Sequence, residues 1–186
     1  MKRDLPTFPL LILSLFFVSC QQGKESVPEK YFRLLNDRQT DSLQSLLAKD
    51  FKVTLTYTTY SYNRNDFFNT YLKILQENGE KSSILKTISD EEPKQFLVED
   101  SSAYLTCLGV TNPSWVVTVK SKDEKITEVI IDTTETSRKY FSDVKEKNDK
   151  FLKWLRGKYT YAYPAVLYDT PGLLLKRLKE FNAENK

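Results

Sequence analysis

The stretch from about Ser82 to Glu135 constrains this chain most. It is a succession of short runs in which apolar and polar residues alternate, each bounded by turn-forming residues. A period of two sends successive side chains to opposite faces of a strand. Ser83–Ser89, Gln95–Glu99, Ala103–Thr111, Ser114–Lys122 and Lys125–Thr134 therefore read as strands. Asp90-Glu91-Glu92-Pro93, Asp100-Ser101-Ser102, Asn112-Pro113 and Lys122-Asp123-Glu124 supply the turns. Connections this short predict antiparallel hairpins, because crossover helices would not fit.

Helical patterns flank the sheet. Ser26-Val27-Pro28-Glu29 has the spacing of a capping box with Pro early in the first turn. The helix it opens carries Val27, Tyr31, Leu34 and Leu35 on one face and breaks at Asn36-Asp37. Thr40 or Asp41 caps a second helix that turns Leu43, Leu46 and Leu47 inward. Phe51 to Tyr57 alternates and is rich in β-branched residues, which predicts a strand. Asn63 or Asn65 then caps a third helix through about Gln76, stopped by Asn78-Gly79. Beyond the sheet, Val144, Phe151, Leu152 and Leu155 share a helix face that Gly157 ends. Thr170-Pro171 opens a last helix bearing Leu174, Leu178 and Phe181. Three amphipathic helices, one strand among them, followed by a strand run make an α+β domain with helices on one sheet face.

Composition removes several chemistries. The formal charge is +3, from 28 Lys and Arg against 25 Asp and Glu, and a phosphate-binding surface needs a stronger cationic surplus. No nucleic-acid partner is expected. There is no His, which removes the commonest general base and a common metal ligand. Of the two Cys, Cys107 lies in the apolar run Ala103–Val110 and reads as a buried small hydrophobe. No metal site and no cofactor is expected, and no phosphate or dinucleotide loop is present.

The amino terminus reads as an address. Lys2 and Arg3 precede an apolar stretch from Leu10 to Val18, shorter than the roughly 20 residues needed to cross a bilayer. The stretch ends in Phe17-Val18-Ser19-Cys20, followed by polar Gln21-Gln22-Gly23-Lys24. A small residue directly before Cys at this point resembles a bacterial lipobox. The resemblance implies a lipoprotein cleaved before Cys20, with acyl chains such as palmitate on the new terminus. It makes residues 1–19 a signal peptide, 20–26 a tether, and the membrane a partner through that anchor. The location it implies is the cell envelope, at the outer membrane in a cell with two membranes.

From Tyr31 to Thr134 the order of motifs resembles the nuclear transport factor 2-like superfamily, of the SnoaL-like kind. Tyr31–Asn36 followed by Asp41-Ser42-Leu43-Gln44-Ser45-Leu46-Leu47 is similar to its first two helices. Asp50-Phe51 is similar to its entry to the first strand, and Asn63-Arg64-Asn65-Asp66-Phe67 to its third-helix start. Trp115–Val119 followed by Glu124-Lys125-Ile126-Thr127-Glu128-Val129 resembles its last two strands, with Glu124 where Gly is usual. The resemblance implies a cone over residues 27–139, a curved antiparallel sheet with the N-terminal helices on its concave face. Residues 140–186 are then a C-terminal helical extension packed on the same domain.

Relatives of this kind include ketosteroid isomerases and polyketide cyclases, and many bind a small molecule or a protein partner. Tyr31, Tyr57, Tyr71, Tyr104 and Trp115 lie on elements whose counterparts line the cavity in relatives. Aromatic rings with a polar tip suit either a pocket or an ordinary core. Enzymatic relatives often supply an Asp/His combination, and His is excluded here. Catalysis would rest on a carboxylate, for which Asp132 after Val129-Ile130-Ile131 is the candidate; the plainer reading is an exposed strand-end Asp. The expected role is binding of a small apolar or amphipathic ligand, or of a protein partner, without catalysis. A His-free isomerase or cyclase and a dimerising envelope protein are the alternatives.

Overall fold

The computed structural model describes residues 25–159 and 172–185. Cys20, the signal segment and Thr170-Pro171 lie outside the described residues. Helices α1 (Val27–Asn36) and α2 (Thr40–Leu46) lead into strand β1 (Leu47–Leu55), which turns back as β2 (Ser61–Asn63). One helical rod follows: α3 (Arg64–Asp66), a π-helical segment (Phe67–Tyr71) and α4 (Leu72–Glu77). Strands β3 (Lys81–Ser89) and β4 (Lys94–Ser101) precede α5 (Ala103–Leu108), then β5 (Ser114–Lys122) and β6 (Lys125–Thr133). Helices α6 (Glu135–Lys158) and α7 (Leu173–Glu184) complete the described chain.

The strands form one six-stranded sheet in the order β2-β1-β6-β5-β4-β3, curved and unclosed. The α+β class and the helix-filled cone stand as the sequence predicts. One pairing departs from the antiparallel expectation: β1 and β6 run parallel, with Val53 opposite Val129 and Leu55 opposite Ile131. The hairpin series from β3 to β6 brings its last strand beside the first with the same direction. A parallel pair of this kind needs a long connection, and here most of the domain provides it.

Local chemistry explains most element boundaries. Ser26 closes the capping box on α1, its Oγ accepting from Glu29 N at 3.4 Å and its N–H donating to Glu29 Oε2 at 2.8 Å. Asn63 Oδ1 accepts from the backbone of Asn65 and Asp66, which selects it over Asn65 as the cap of α3. Leu47 is buried as expected, but it opens β1 rather than closing α2, so β1 starts before Phe51 and stops before Tyr57. Helix α6 starts at Glu135 under a Thr134–Ser137 capping box, runs across position 139, and continues past Gly157.

The run Ala103–Thr111 is not a strand. Ser102 Oγ accepts from Leu105 N at 3.1 Å, and Gly109 takes the left-handed conformation at φ 68°. Those two caps bracket a helical turn that buries Leu105 and Leu108. Cys107 is therefore half-buried on α5, and its expected burial in an apolar strand is corrected.

Two apolar clusters result. The larger fills the cone, with Tyr31, Leu34, Leu43, Phe51, Val53, Phe67, Phe96, Trp115 and Val129 among its buried members. The smaller joins α5 to the extension through Leu105, Leu108, Val110, Phe151, Leu155 and Leu178. Tyr140, on the first turns of α6, packs against both. Trp154 Nε1 donates to Glu184 at 2.9 Å and Tyr159 to Glu180 at 2.6 Å, fastening α7 along α6.

Phe151 is fully buried far beyond the sheet in sequence, so Phe151→Ala should cost about 3–5 kcal/mol. Phe141, 41% exposed, should cost under about 1.5 kcal/mol on the same change. Urea unfolding checks both. A single transition displaced by Phe151→Ala is expected, and a separate early transition for the extension would contradict the packing described.

Candidate functional site

Lys94, Phe96, Val98 and Asp100 share one face of β4, with Asp100 its one carboxylate. Strand alternation carries this carboxylate to the face that Phe96 and Val98 bury. Across the pair, Ser82 of β3 stands opposite Asp100 and its Oγ donates to Oδ1 at 2.6 Å. Ser82 is itself clamped by Asn36 at the end of α1, whose amide donates to its carbonyl at 2.7 Å and accepts from its N–H at 2.8 Å. A hydrogen-bonded chain thus joins α1, β3 and β4 around the carboxylate.

Aromatic side chains complete the surroundings. Tyr31 comes from α1, Tyr71 from the π-helical segment and Trp115 from β5, and all three line one internal cavity with Asp100. Val117 and Ile131 close its sheet side. The cavity volume is about 30 Å3, room for about one water. Beside it the Trp115 ring stacks on Tyr57 at 5.3 Å and meets Tyr140 and Phe141 edge-on at 6.2 and 5.8 Å. The start of α6 therefore covers the Trp115 edge of the cone.

A second carboxylate approaches from the turn after α4. Gly79 adopts φ 65° there, and Glu80 N then donates to Leu75 O at 2.8 Å. Asn78 Nδ2 donates to Glu80 Oε1 at 3.3 Å. Burial pushes the Asp100 carboxyl up to about 6; the Ser82 hydroxyl and the Trp115 indole oppose this, and Glu99 adds to it. The indole Nε1 is close enough to favour the carboxylate, yet it meets no acceptor in full hydrogen-bond geometry. Burial, then the Asp100 charge, push Glu80 up to about 7 against the Asn78 amide.

Burial also raises Tyr57 and Tyr140 to about 12, and Tyr31 and Tyr71 further. All four phenols thus keep their protons at neutral pH and remain donors. The site offers one ionised carboxylate, one carboxyl near half-protonation, and a set of neutral donors. No group of three or more His, Cys, Asp or Glu that could hold a metal forms among the described residues.

The structure brings Tyr31, Tyr71 and Trp115 together around one cavity. Tyr57 joins them at the rim, stacked on Trp115 and 37% exposed. Tyr104 does not: it lies on α5, half-buried against the second cluster. Asp132 is exposed and accepts from Thr56 Oγ1 at 2.6 Å. On β6 Val129 is buried and Ile131 lines the cavity, so alternation sends Asp132 to the opposite face. The interior carboxylates are Asp100 and Glu80. The period-two continuation Phe96, Val98, Asp100 was a readable signal for the first, masked by taking Asp100 into a turn. Glu80 had none, since only the Gly79 turn aims it.

No protein-family model matches the sequence, and no curated protein matches it. Solved structures match its fold. A protein called Bal32a, from a soil-derived mobile gene cassette, has a TM-score of 0.50 at 10% identity, over 61% of this chain and 91% of its own. A putative SnoaL-like polyketide cyclase from Shewanella putrefaciens gives 0.49 at 13% identity, over 62% and 83%. A putative ketosteroid isomerase from Kribbella flavida gives 0.48 at 23%, over 59% and 76%. The structural neighbours have nuclear transport factor 2-like folds, and the likeness is one of fold alone.

A carboxyl whose folded-state pKa lies above its unfolded value binds more protons folded than unfolded. Its contribution to stability is complete below the unfolded value, near 4, and is lost as pH rises through the folded value. For Asp100 and Glu80 the loss runs from about pH 4 to about pH 7. Asp100→Asn should therefore flatten this slope and stabilise the protein at pH 8 by about 1–3 kcal/mol. Urea denaturation at pH 5 and pH 8 checks it; an unchanged slope in the variant would remove Asp100 as its source.

Proposed function

We propose that this chain is a membrane-anchored bacterial lipoprotein, held through Cys20, whose cone binds a small amphipathic molecule without turning it over. The observation that carries the binding reading is the interior carboxylate Asp100, set among Tyr31, Tyr71 and Trp115 with no cationic partner among the described residues. A buried charge without a counter-charge costs stability, and retaining one is accounted for when a ligand supplies its donor. An apolar enclosure with few convergent polar groups is the usual build of a small-molecule site. The volume of about 30 Å3 argues against a substrate held in the closed state. Entry requires the Tyr57, Tyr140 and Phe141 side of the cone to open.

A second reading is supported by the two carboxyls themselves. Asp100, ionised above about pH 6, has the properties of a base for a proton next to a carbonyl. Tyr31 or Tyr71 would then donate to the oxygen that gains charge. This is the His-free isomerase or cyclase alternative, moved from Asp132 to Asp100.

Anchoring and binding are tested separately. Cys20→Ser should move the protein from the membrane to the soluble fraction or leave an unprocessed precursor; unchanged mass and fractionation would defeat the anchor. For the cone, Trp154→Phe leaves Trp115 as the sole tryptophan, since the chain has two. Titration with cyclohexanol and cyclohexenone should give a saturable change in its fluorescence that Asp100→Leu abolishes. No saturation with either compound would defeat interior binding. Solvent deuterium entering the α′-carbon (C6) of cyclohex-2-enone, and lost in Asp100→Asn, would favour the catalytic reading.

A further inference from the structure

A hollow separate from the cone opens where α5, α6 and α7 meet, with a volume of about 870 Å3. Cys107 and Leu108 of α5, Trp154 of α6 and Phe181 of α7 form its apolar lining. Leu108 is buried, while the other three are half-buried and keep apolar surface free. Trp154 is held in place: its ring meets Phe181 edge-on at 5.5 Å, and its Nε1 is taken by Glu184. Asn182 ties the opposite wall by donating to the Cys107 carbonyl.

The charged side chains in this lining are both lysines, while Glu146 and Glu184 stand outside it, engaged by Lys150 and by the Trp154 indole. Lys150 and Lys153 stand three residues apart on α6, exposed at the edge of the hollow, and no carboxylate lines it among the described residues. Lys150 pairs with Glu146 at 2.6 Å, and Lys153 has no ion-pair partner among the described residues. The Lys150 pair is solvent-exposed, so it holds that ammonium only weakly against a competing anion.

We propose that this hollow binds a single-chain anionic amphiphile of the fatty-acid class. Its oxyanion sits between the Lys150 and Lys153 ammonium groups, and its chain lies along Trp154, Phe181 and Cys107. Apolar lining with paired cations at one edge fixes both the chemistry and the direction of the ligand. A monomer reaches the floor of a hollow, whereas the headgroup layer of a bilayer meets only its edge. The site is built by α5 and the C-terminal helices and is independent of the interior cavity.

Cys107 supplies the readout. In the full chain carrying Cys20→Ser it is the only thiol, because the sequence has two Cys. Its reaction with a maleimide is followed by intact mass, with dodecanoate added below its micelle concentration. Saturable slowing is expected, and Lys150→Glu with Lys153→Glu should raise the half-protecting concentration at least about tenfold. Dodecyltrimethylammonium, the same chain with the opposite charge, should protect about tenfold less well. Both lysines are exposed, so the melting temperature should hold; if the double variant fails to fold, Lys153→Gln replaces it. Slowing that does not saturate, equal protection by the cation, or protection undiminished in the variants would overturn the proposal. So would protection by anionic vesicles with none by dodecanoate, which would assign the face to a membrane surface.

Discussion

The packing of Trp115 ties three separate parts of the fold together. Its backbone sits between Val98 of β4 and Thr133 of β6, so it is locked in the middle of the sheet. Its ring meets Tyr57 from the β1–β2 turn and Tyr140 and Phe141 from α6. Sheet, hairpin and C-terminal helix are thus referred to one aromatic plane. Aromatic pairs each contribute about 0.5–1.5 kcal/mol beyond their buried area, so this cluster helps hold the first turns of α6 against the sheet. Tyr140 then passes the constraint on to the second core.

Around that plane the cone holds an electrostatic cost. Asp100 has a single strong donor in Ser82, and Glu80 only a long contact from Asn78. Neither is offset by a cation among the described residues, and the Asp100 charge makes ionisation of Glu80 harder. An Asn or Leu at 100 would be the cheaper choice for a purely structural interior. Groups kept against such a cost are the ones to associate with binding or chemistry.

The extension is a structural continuation rather than an appendage. Phe151, Leu155 and Leu178 are as thoroughly buried as the cone's own core. They do not fill the cone; they pack on α5, the short helix inserted between β4 and β5. That insertion gives α6 and α7 a surface to bury against, and their junction leaves the basic-edged hollow.

Much of this was legible along the chain. Alternation alone placed β3, β5 and β6 within a residue or two, and the Ser26 capping box and the Asn63 cap were readable from their spacing. The apolar faces of α1, α6 and α7 followed from helical periodicity. These features depend on neighbours at most four residues apart, where backbone geometry ties sequence to face. The Ser102 and Gly109 caps of α5 are equally local, but the apolar residues between them read as a strand. Tertiary structure decided the rest. The β1–β6 pairing runs parallel because strands far apart in sequence met across the sheet. Asp132 faces outward and Asp100 inward by alternation from their strand neighbours, and which face of each strand is the buried one is settled by cross-strand pairing. Burial, and with it the chemistry of every candidate site, is a property of what packs against a side chain, which no single stretch of sequence contains.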